Sequence, residues 1–300
     1  MIKIFIIDSN SSDQRIDKFL KRNFDNLTQS FIEKNLRKKN ILLNQHLTKS
    51  NQIIKVDDKI TIKNFSTEVY QKFKKNQSTI QINKSYITNF KKSILYEDDN
   101  FLIIDKWSGI AVQGGSNIVI SIDTIIKNIS ENYNLVHRLD KETSGLMIIA
   151  KNLKYTRFFG KLFKSQELKK TYLAVCDGMP RIKESYVDLN INLNAKDRMI
   201  QTKTFYKVLS YNNKTSLIKF EPKTGKKHQL RIVAKNLGCP IVGDSKYNLN
   251  KTTQRENLKL NAHKLEFVIE DNEFKITSAL PKDFTDYLNL KNLKFNPKII

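Results

Sequence analysis

The chain has 300 residues, enough for a sizeable core and a smaller accessory domain. Its 53 Lys and Arg against 30 Asp and Glu leave a formal charge of +23, an excess that favours a polyanionic partner through counterion release, so nucleic acid is expected. No apolar run approaches the ~20 residues that span a bilayer, and the opening MIKIFIID is too short and too early-charged for a secretory leader. The two cysteines, Cys176 and Cys239, have neither metal-site spacing nor a disulfide framework. No membrane, no metal and a reducing cytoplasm are therefore expected.

In chain order, residues 13–63 read as a compact unit. Ile16, Phe19 and Leu20 recur at i, i+3 and i+4 and predict an amphipathic helix beginning at Arg15. A second helix is predicted from Gln29 to Lys39, with Phe31, Ile32 and Leu36 apolar and Arg37, Lys38 and Lys39 massed at its end, where cations also complement the helix dipole. Short strands follow at Ile41–Leu43 and Ile60–Ile62. Two helices then strands, the basic helix end, and the stretches ILLNQ and VDDKI resemble the S4 RNA-binding module. Arg15, Arg37 and Lys38 are its candidate RNA contacts. Residues 65–93 carry Lys72, Lys74, Lys75, Lys84, Lys91 and Lys92 around sparse apolar residues, and read as a flexible basic linker.

The larger domain is expected over 94–300. Ile94–Tyr96 and Phe101–Ile104 flank a turn and read as a hairpin. The loop after it holds Gly109, Gly114 and Gly115, whose spacing fits neither a P-loop nor a dinucleotide fingerprint, so no nucleotide cofactor is expected. A packed helix is predicted over Ile118–Ile129. Next comes LVHRLDKETSGLMIIA, Leu135 to Ala150: an apolar pair, a polar loop holding His137, Arg138 and Asp140, then Gly145 and the buried strand Leu146–Ala150. In that arrangement a rigid scaffold presents chemistry on a loop. A helix is predicted over Lys154–Lys164, its aromatics read as core. Lys169–Val175 is a strand, with Tyr172 and Ala174 on one face and Thr171 and Leu173 on the other. Further strands are predicted at Tyr186–Leu193, Thr202–Leu209, Ser216–Glu221 and Ala262–Ile269, and a last helix at Asp283–Leu290. In KTGKKHQLRIV, Lys223 to Val233, Lys226, Lys227, His228, Gln229 and Arg231 crowd behind the turn at Gly225. A helix beginning at His228 puts His228, Arg231 and Ile232 on adjacent faces.

The chemistry these residues offer is narrow. Asp140 has Arg138 beside it and Arg231 far along the chain, with no second carboxylate and no Ser/His/Asp order. A nearby cation favours the charged form of an aspartate, which suits it to act as nucleophile or proton acceptor. Arginines serve phosphates equally well, and an inert surface ion pair is the plain alternative. A protein kinase is excluded: His137, Arg138 and Asp140 are not contiguous as the kinase triad is, and its metal-binding Asn, DFG and Gly-rich loop are not in place.

Four ordered stretches carry a resemblance: ILYEDDNFLIIDKWSGIAVQGG at 94–115, HRLDKETSGLMIIAK at 137–151, KTYLA at 170–174 and TGKKHQLRI at 224–232. With the S4-like unit ahead of them they resemble the ribosomal large-subunit pseudouridine synthase family over nearly the whole chain. The resemblance implies an α+β protein: an S4-like RNA-binding domain at 1–64, then a mixed α/β catalytic domain with a largely antiparallel central sheet. It implies isomerisation of uridine to pseudouridine in large-subunit ribosomal RNA, without cofactor or metal; a monomer is expected because no long apolar seam is left over, and no protein partner is inferred. Asp140 becomes the catalytic aspartate, Tyr172 the active-site tyrosine that packs on the uracil and helps remove the C5 proton, and Arg231 the arginine paired with Asp140. Whether Asp140 attacks the ribose or acts as a base stays open. His137, Arg138, Lys227, His228 and Gln229 become RNA contacts, with Arg138 stabilising the flipped-out uridine. Trp107 stands where the family usually has Pro and Val233 where it commonly has His, departures that bear on the RNA-facing loops. The competing expectation is a non-catalytic RNA-binding ribosome-assembly factor.

Overall fold

The computed structural model describes all residues except 10, 25, 72–81, 116–117, 193–198, 251–252, 254 and 298–300. It divides into two compact units, Met1–Gln81 and Ile82–Ile300. The first contains β1 (Lys3–Ile6), β2 (Gln14–Arg15), α1 (Ile16–Asn23), α2 (Gln29–Arg37), β3 (Ile41–Leu43), β4 (Ile53–Ile54) and β5 (Lys59–Ile62). The predicted face of α1 is buried as Ile16, Phe19 and Leu20, against Ile32 and Leu36 of α2 and Ile41, Ile60 and Ile62 of the strands. Thr28 starts α2 by accepting a hydrogen bond from the Phe31 N–H, which satisfies one orphan donor of the first turn. β1 was not anticipated. It pairs with β5 in a sheet of order β1-β5-β3, yet only Phe5 of its residues packs on the core while Ile4 and Ile6 stay exposed.

The linker expectation for 65–93 is corrected at both ends. Phe65 stacks on Tyr70 with ring centroids 5.2 Å apart, and Tyr70 is buried against Phe24 and Phe31. Residues Lys84–Lys92 form α3, capped by Asn83, with Phe90 buried. A few well-placed aromatics bury enough apolar area to order a segment whose lysine count suggests otherwise. The middle of that segment, 72–81, lies outside the described residues.

After α3 the second unit continues with β6 (Ile94–Glu97), β7 (Phe101–Lys106), α4 (Ile122–Ile129), β8 (Asn134–Leu135), β9 (Ser144–Ala150), α5 (Leu153–Ser165) and β10 (Lys169–Asp177). Then come β11 (Glu184–Asn192), β12 (Met199–Tyr211), β13 (Thr215–Pro222), α6 (Gln229–Asn236), β14 (Leu260–Ile269), β15 (Asn272–Thr277) and α7 (Lys282–Leu290). The strands make one sheet of order β11-β12-β13-β10-β14-β9-β7-β6, with β15 beside β14 and β8 beside β9. Every pairing in it is antiparallel except β14 with β9, so the expected largely antiparallel sheet is found. α4 is shorter than its predicted span because Ser121 caps it, its hydroxyl accepting from the Thr124 N–H while the Thr124 side chain returns to the Ser121 N–H.

Alternation along the central strands shows that the sheet is a middle layer. Leu102 and Ile104 of β7 join Met147 and Ile149 of β9 and Ile122, Ile125 and Ile126 of α4 in one cluster. Phe101, Ile103, Leu146 and Ile148 point the other way, to Phe159 and Leu162 of α5. Burial on both faces explains why FLII and LMIIA are continuous apolar runs. β10 does the same, sending Ala174 and Cys176 to α6 and Leu173 and Val175 to α7.

At the parallel crossing the backbones of Gly145 and Ala262 meet in register. Gly145 has φ +108°, and a Cβ on it would lie 2.4 Å from the Ala262 carbonyl oxygen. Gly145→Ala is expected to destabilise the unit by on the order of 3 kcal/mol, read as a lower denaturation midpoint at unchanged slope. A change within ~0.5 kcal/mol would show that the two strands part freely.

Candidate active site

Asp140 lies between β8 and β9 on a loop tied down from both sides. Its carbonyl accepts from the Thr143 N–H at 3.1 Å, the Lys141 carbonyl from the Gly109 N–H at 3.0 Å, and the Glu142 carbonyl from the Ser108 hydroxyl at 2.7 Å. Beneath them the Lys106 ammonium, wholly buried, donates to the carbonyls of Trp107 (3.0 Å), Ile110 (3.2 Å) and Lys141 (3.1 Å). Burial pushes this lysine down to about 7 against the opposing pull of Glu142 and Asp140. Sequence reasoning missed Lys106. Its one signal was its place at the end of FLIIDK, in step with Leu102 and Ile104 on the face that turns to the core.

Asp140 faces two cations or potential cations at ion-pair distance, with Oδ1 3.8 Å from His228 Nε2 and Oδ2 3.8 Å from Arg231 Nη1. Arg231 has a second and closer acidic partner. Arg231 donates from Nε and Nη2 to the two carboxyl oxygens of Asp244, at 2.7 and 2.6 Å, and offers Asp140 only its remaining nitrogen. Asp244 is fully buried and also accepts the Lys246 and Tyr247 N–H groups. Burial works to raise its carboxyl; the Arg231 guanidinium and these N–H donors overcome it and hold it below the usual carboxylate range. With Nε and Nη2 held by Asp244, Arg231 is anchored and keeps Nη1 turned toward Asp140.

His228 precedes α6 in the left-handed region, φ 56°, and its Nδ1 is 3.0 Å from the Tyr247 hydroxyl. Burial, aided by Arg231, Lys246 and Lys227 and opposed by Asp140, lowers its pKa. Tyr172 reaches the site from β10, packed against both neighbouring core clusters. Burial and then the Asp140 carboxylate push its phenol up, so the hydroxyl keeps its proton at neutral pH.

Two expected RNA contacts line the cavity and are tied into the protein by their own hydrogen bonds. His137 Nε2 accepts the Ile148 N–H at 2.9 Å and its ring packs on Phe163 with centroids 4.7 Å apart. Loss of hydration, then the Lys170 cation, push its pKa down to about 3, leaving a neutral structural imidazole. Gln229 is buried, with Oε1 accepting from the Thr224 hydroxyl (2.9 Å) and Lys226 N–H (3.0 Å) and its amide donating to Thr204 Oγ1 (3.0 Å). It holds the turn before α6. Arg138 and Lys227 are exposed. In the first unit Arg15 is paired with Asp17, while Arg37 and Lys38 are exposed at the end of α2.

Arg138, Asp140, Tyr172, Lys227, His228 and Arg231 share one cavity of about 520 Å³. Among its described lining residues Asp140 is the only carboxylate. One acid, a protonated phenol and a crown of cations can bind a polyanion and work on a neutral ring held against the tyrosine.

The sequence pattern described as RNA pseudouridylate synthase matches residues 100–236, the stretch that contains Asp140, Tyr172 and Arg231. A protein of Rickettsia felis named ribosomal large subunit pseudouridine synthase C is 38% identical, over 94% of this chain and 98% of its own length. A namesake from Buchnera aphidicola subsp. Schizaphis graminum is 31% identical, over 96% of this chain and 97% of its own. In fold, the human RNA pseudouridylate synthase domain containing 4 superposes with a TM-score of 0.63 at 24% identity, covering 70% of this chain and 97% of that one. With relatives this similar aligned from end to end, the chain belongs to the RNA pseudouridylate synthase family.

Proposed function

We propose that the protein converts uridines of large-subunit ribosomal RNA to pseudouridine, with Asp140 as the residue that acts on the substrate. The observation that carries this is the lone carboxylate of Asp140 facing Tyr172, His228 and Arg231 inside a cavity otherwise rich in cations. The relatives from Rickettsia and Buchnera, named for large-subunit RNA and aligned over nearly the whole chain, support the substrate. In the reaction the N1–C1′ bond of uridine breaks, the freed uracil turns within the cavity, C5 bonds to C1′, the C5 proton leaves and N1 gains one. No atom is gained or lost. Asp140 serves either by attacking C1′ or by taking a proton; Arg231, anchored by Asp244, keeps a positive charge beside it. Arg138, exposed at the rim, stabilises the flipped-out nucleotide, an extrusion that costs a few kcal/mol, and Lys227 and His228 contact the RNA.

Tyr172, protonated, offers its ring face to the uracil and a hydroxyl donor, rather than a phenolate base for the C5 proton. Tyr172→Phe is therefore expected to keep turnover within about tenfold, whereas Tyr172→Ala loses the stacking platform, worth about 1–3 kcal/mol or roughly 5–150-fold. Equal damage from both would assign the proton transfer to the hydroxyl.

The first unit is proposed as an S4-type RNA-binding module, supported by two helices followed by strands and by exposed Arg37 and Lys38. The enzyme works as a monomer in the cytoplasm; among the described residues no helix is long and apolar enough to cross a membrane. Pseudouridine mapped across ribosomal RNA from cells with and without the protein tests the whole reading. Sites should vanish from the large-subunit RNA alone, and an unchanged map would refute it.

A further inference from the structure

We infer that Lys170 and Lys223 form an anion subsite that grips a phosphodiester flanking the uridine in the cavity. The inference rests on the uridine-isomerase reading and deepens it, by naming which part of the substrate is held beside the reacting base.

Lys170 stands two residues before Tyr172 on β10, and both line the Asp140 cavity. Alternate residues of a strand share a face roughly 7 Å apart. With a uracil on Tyr172, that distance along the strand is on the scale of the step from a base to its own phosphate. Lys170 also lines a second cavity of about 260 Å³, adjoining the first through Lys170 and Pro222 and lined as well by Lys169, Thr171, Lys223, Glu221 and Glu266. Its two glutamates are engaged elsewhere: Glu221 Oε1 is 2.9 Å from the Lys219 ammonium and Glu266 Oε1 is 3.2 Å from that of Lys264.

Apart from these two engaged glutamates, the groups about Lys170 are cationic or neutral. The Phe163 ring centroid is 5.8 Å from its ammonium, and His137, neutral, lies close enough to feel its charge. Lys223, lining the same cavity, works against its charge. Among the described residues Lys170 has no acidic partner. A half-buried ammonium beside another ammonium is unfavourable until an anion arrives. The anion that always enters with a flipped nucleotide is the diester on either side of it, and lysine meets a phosphate as a compact point charge with three donors.

The test is a double-mutant cycle in which one partner is RNA. Stem-loops carrying a uridine that the wild-type protein converts are made with all phosphates intact, or with a neutral methylphosphonate at the linkage 5′ or 3′ to that uridine. Each is assayed with wild type, Lys170→Gln, Lys223→Gln and Lys170→Arg. For wild type, one of the two neutral linkages should raise KM about tenfold or more with kcat little changed. Lys170→Gln should raise KM equally on intact RNA, be indifferent to that same linkage, and flatten the salt dependence by roughly one phosphate contact, about 0.7–0.9 in slope. Lys223→Gln should do the same more weakly, and Lys170→Arg should recover most of the affinity. Losses from Lys170→Gln that simply add to those of both neutral linkages would overturn the subsite, as would a fall in kcat at unchanged KM or a wild type indifferent to both linkages. Should Lys170→Gln fail to fold, Lys223→Gln gives the same cycle for the second lysine of the subsite. If no such stem-loop is found, because wild type forms no product on any ribosomal RNA fragment, the isomerase reading itself is refuted, a result distinct from additivity.

Discussion

Asp140→Asn is expected to abolish pseudouridine formation, by at least about 10³-fold in kcat, while melting temperature and RNA affinity stay near those of wild type. The amide has the size and shape of the carboxylate but bonds poorly to C1′ and takes up no proton at neutral pH. Stability is spared for a reason visible in the site. Removing one member of a buried ion pair is ordinarily costly because the other charge is stranded, but here Arg231 retains both of its bonds to Asp244. Asp140 is itself partly exposed, with a fifth of its side chain open to solvent at 20%, and its bond to the loop runs through its backbone carbonyl, which the substitution leaves alone. Release of the C5 hydrogen as tritium, from RNA labelled at that position, measures the loss. Full activity in the variant would end the assignment of Asp140 to the chemistry, whereas no release from wild type either would favour an inert RNA-binding role.

Asp244→Ala carries the second large effect, and it divides differently. It strands a guanidinium that is 8% exposed and deprives the Lys246 and Tyr247 N–H groups of their acceptor. A cost of about 3–5 kcal/mol is expected, or a fall in melting temperature on the order of 10 °C for a unit of this size. Activity should fall further than the folded fraction explains, because Arg231 is then free to close directly on Asp140 and occupy the oxygen that faces the substrate. Asp244→Asn, which keeps an acceptor for the N–H groups, should lie between. The pH dependence has a definite sign. The folded carboxyl sits below the 3.8 of a free aspartate, so its stabilisation is complete above that value and is lost as pH falls through the lower folded one. The stability gap between wild type and Asp244→Ala should therefore narrow on acidification below about pH 4. A gap that stays constant to pH ~2 would mean that the pair contributes through shape alone.

The two variants test neighbouring groups that differ in dependence on the rest of the chain. Asp140 was legible because its evidence is local: a polar loop between an apolar pair and an apolar run, closed by Gly145. Asp244 was not, because in sequence it is one more acid in a loop punctuated by Pro240 and Gly243. Only the placement of that loop against α6 turns it into the partner of Arg231, 13 residues earlier.

The sequence by itself determined the helix faces of Ile16, Phe19 and Leu20, the continuous strands of the sheet, and the loop and strand that carry Asp140 and Tyr172. Period and turn chemistry act over a few residues and need no distant partner. Where the polar and ionisable side chains point was settled by the packing of distant segments. It tied His137 and Gln229 into the protein's own hydrogen bonds, buried Lys106 under the Asp140 loop, gave Arg231 to Asp244 and left Lys170 without an acid. The energy of a charge depends on the water it loses and the charges brought near it, and both come from segments far apart in the chain.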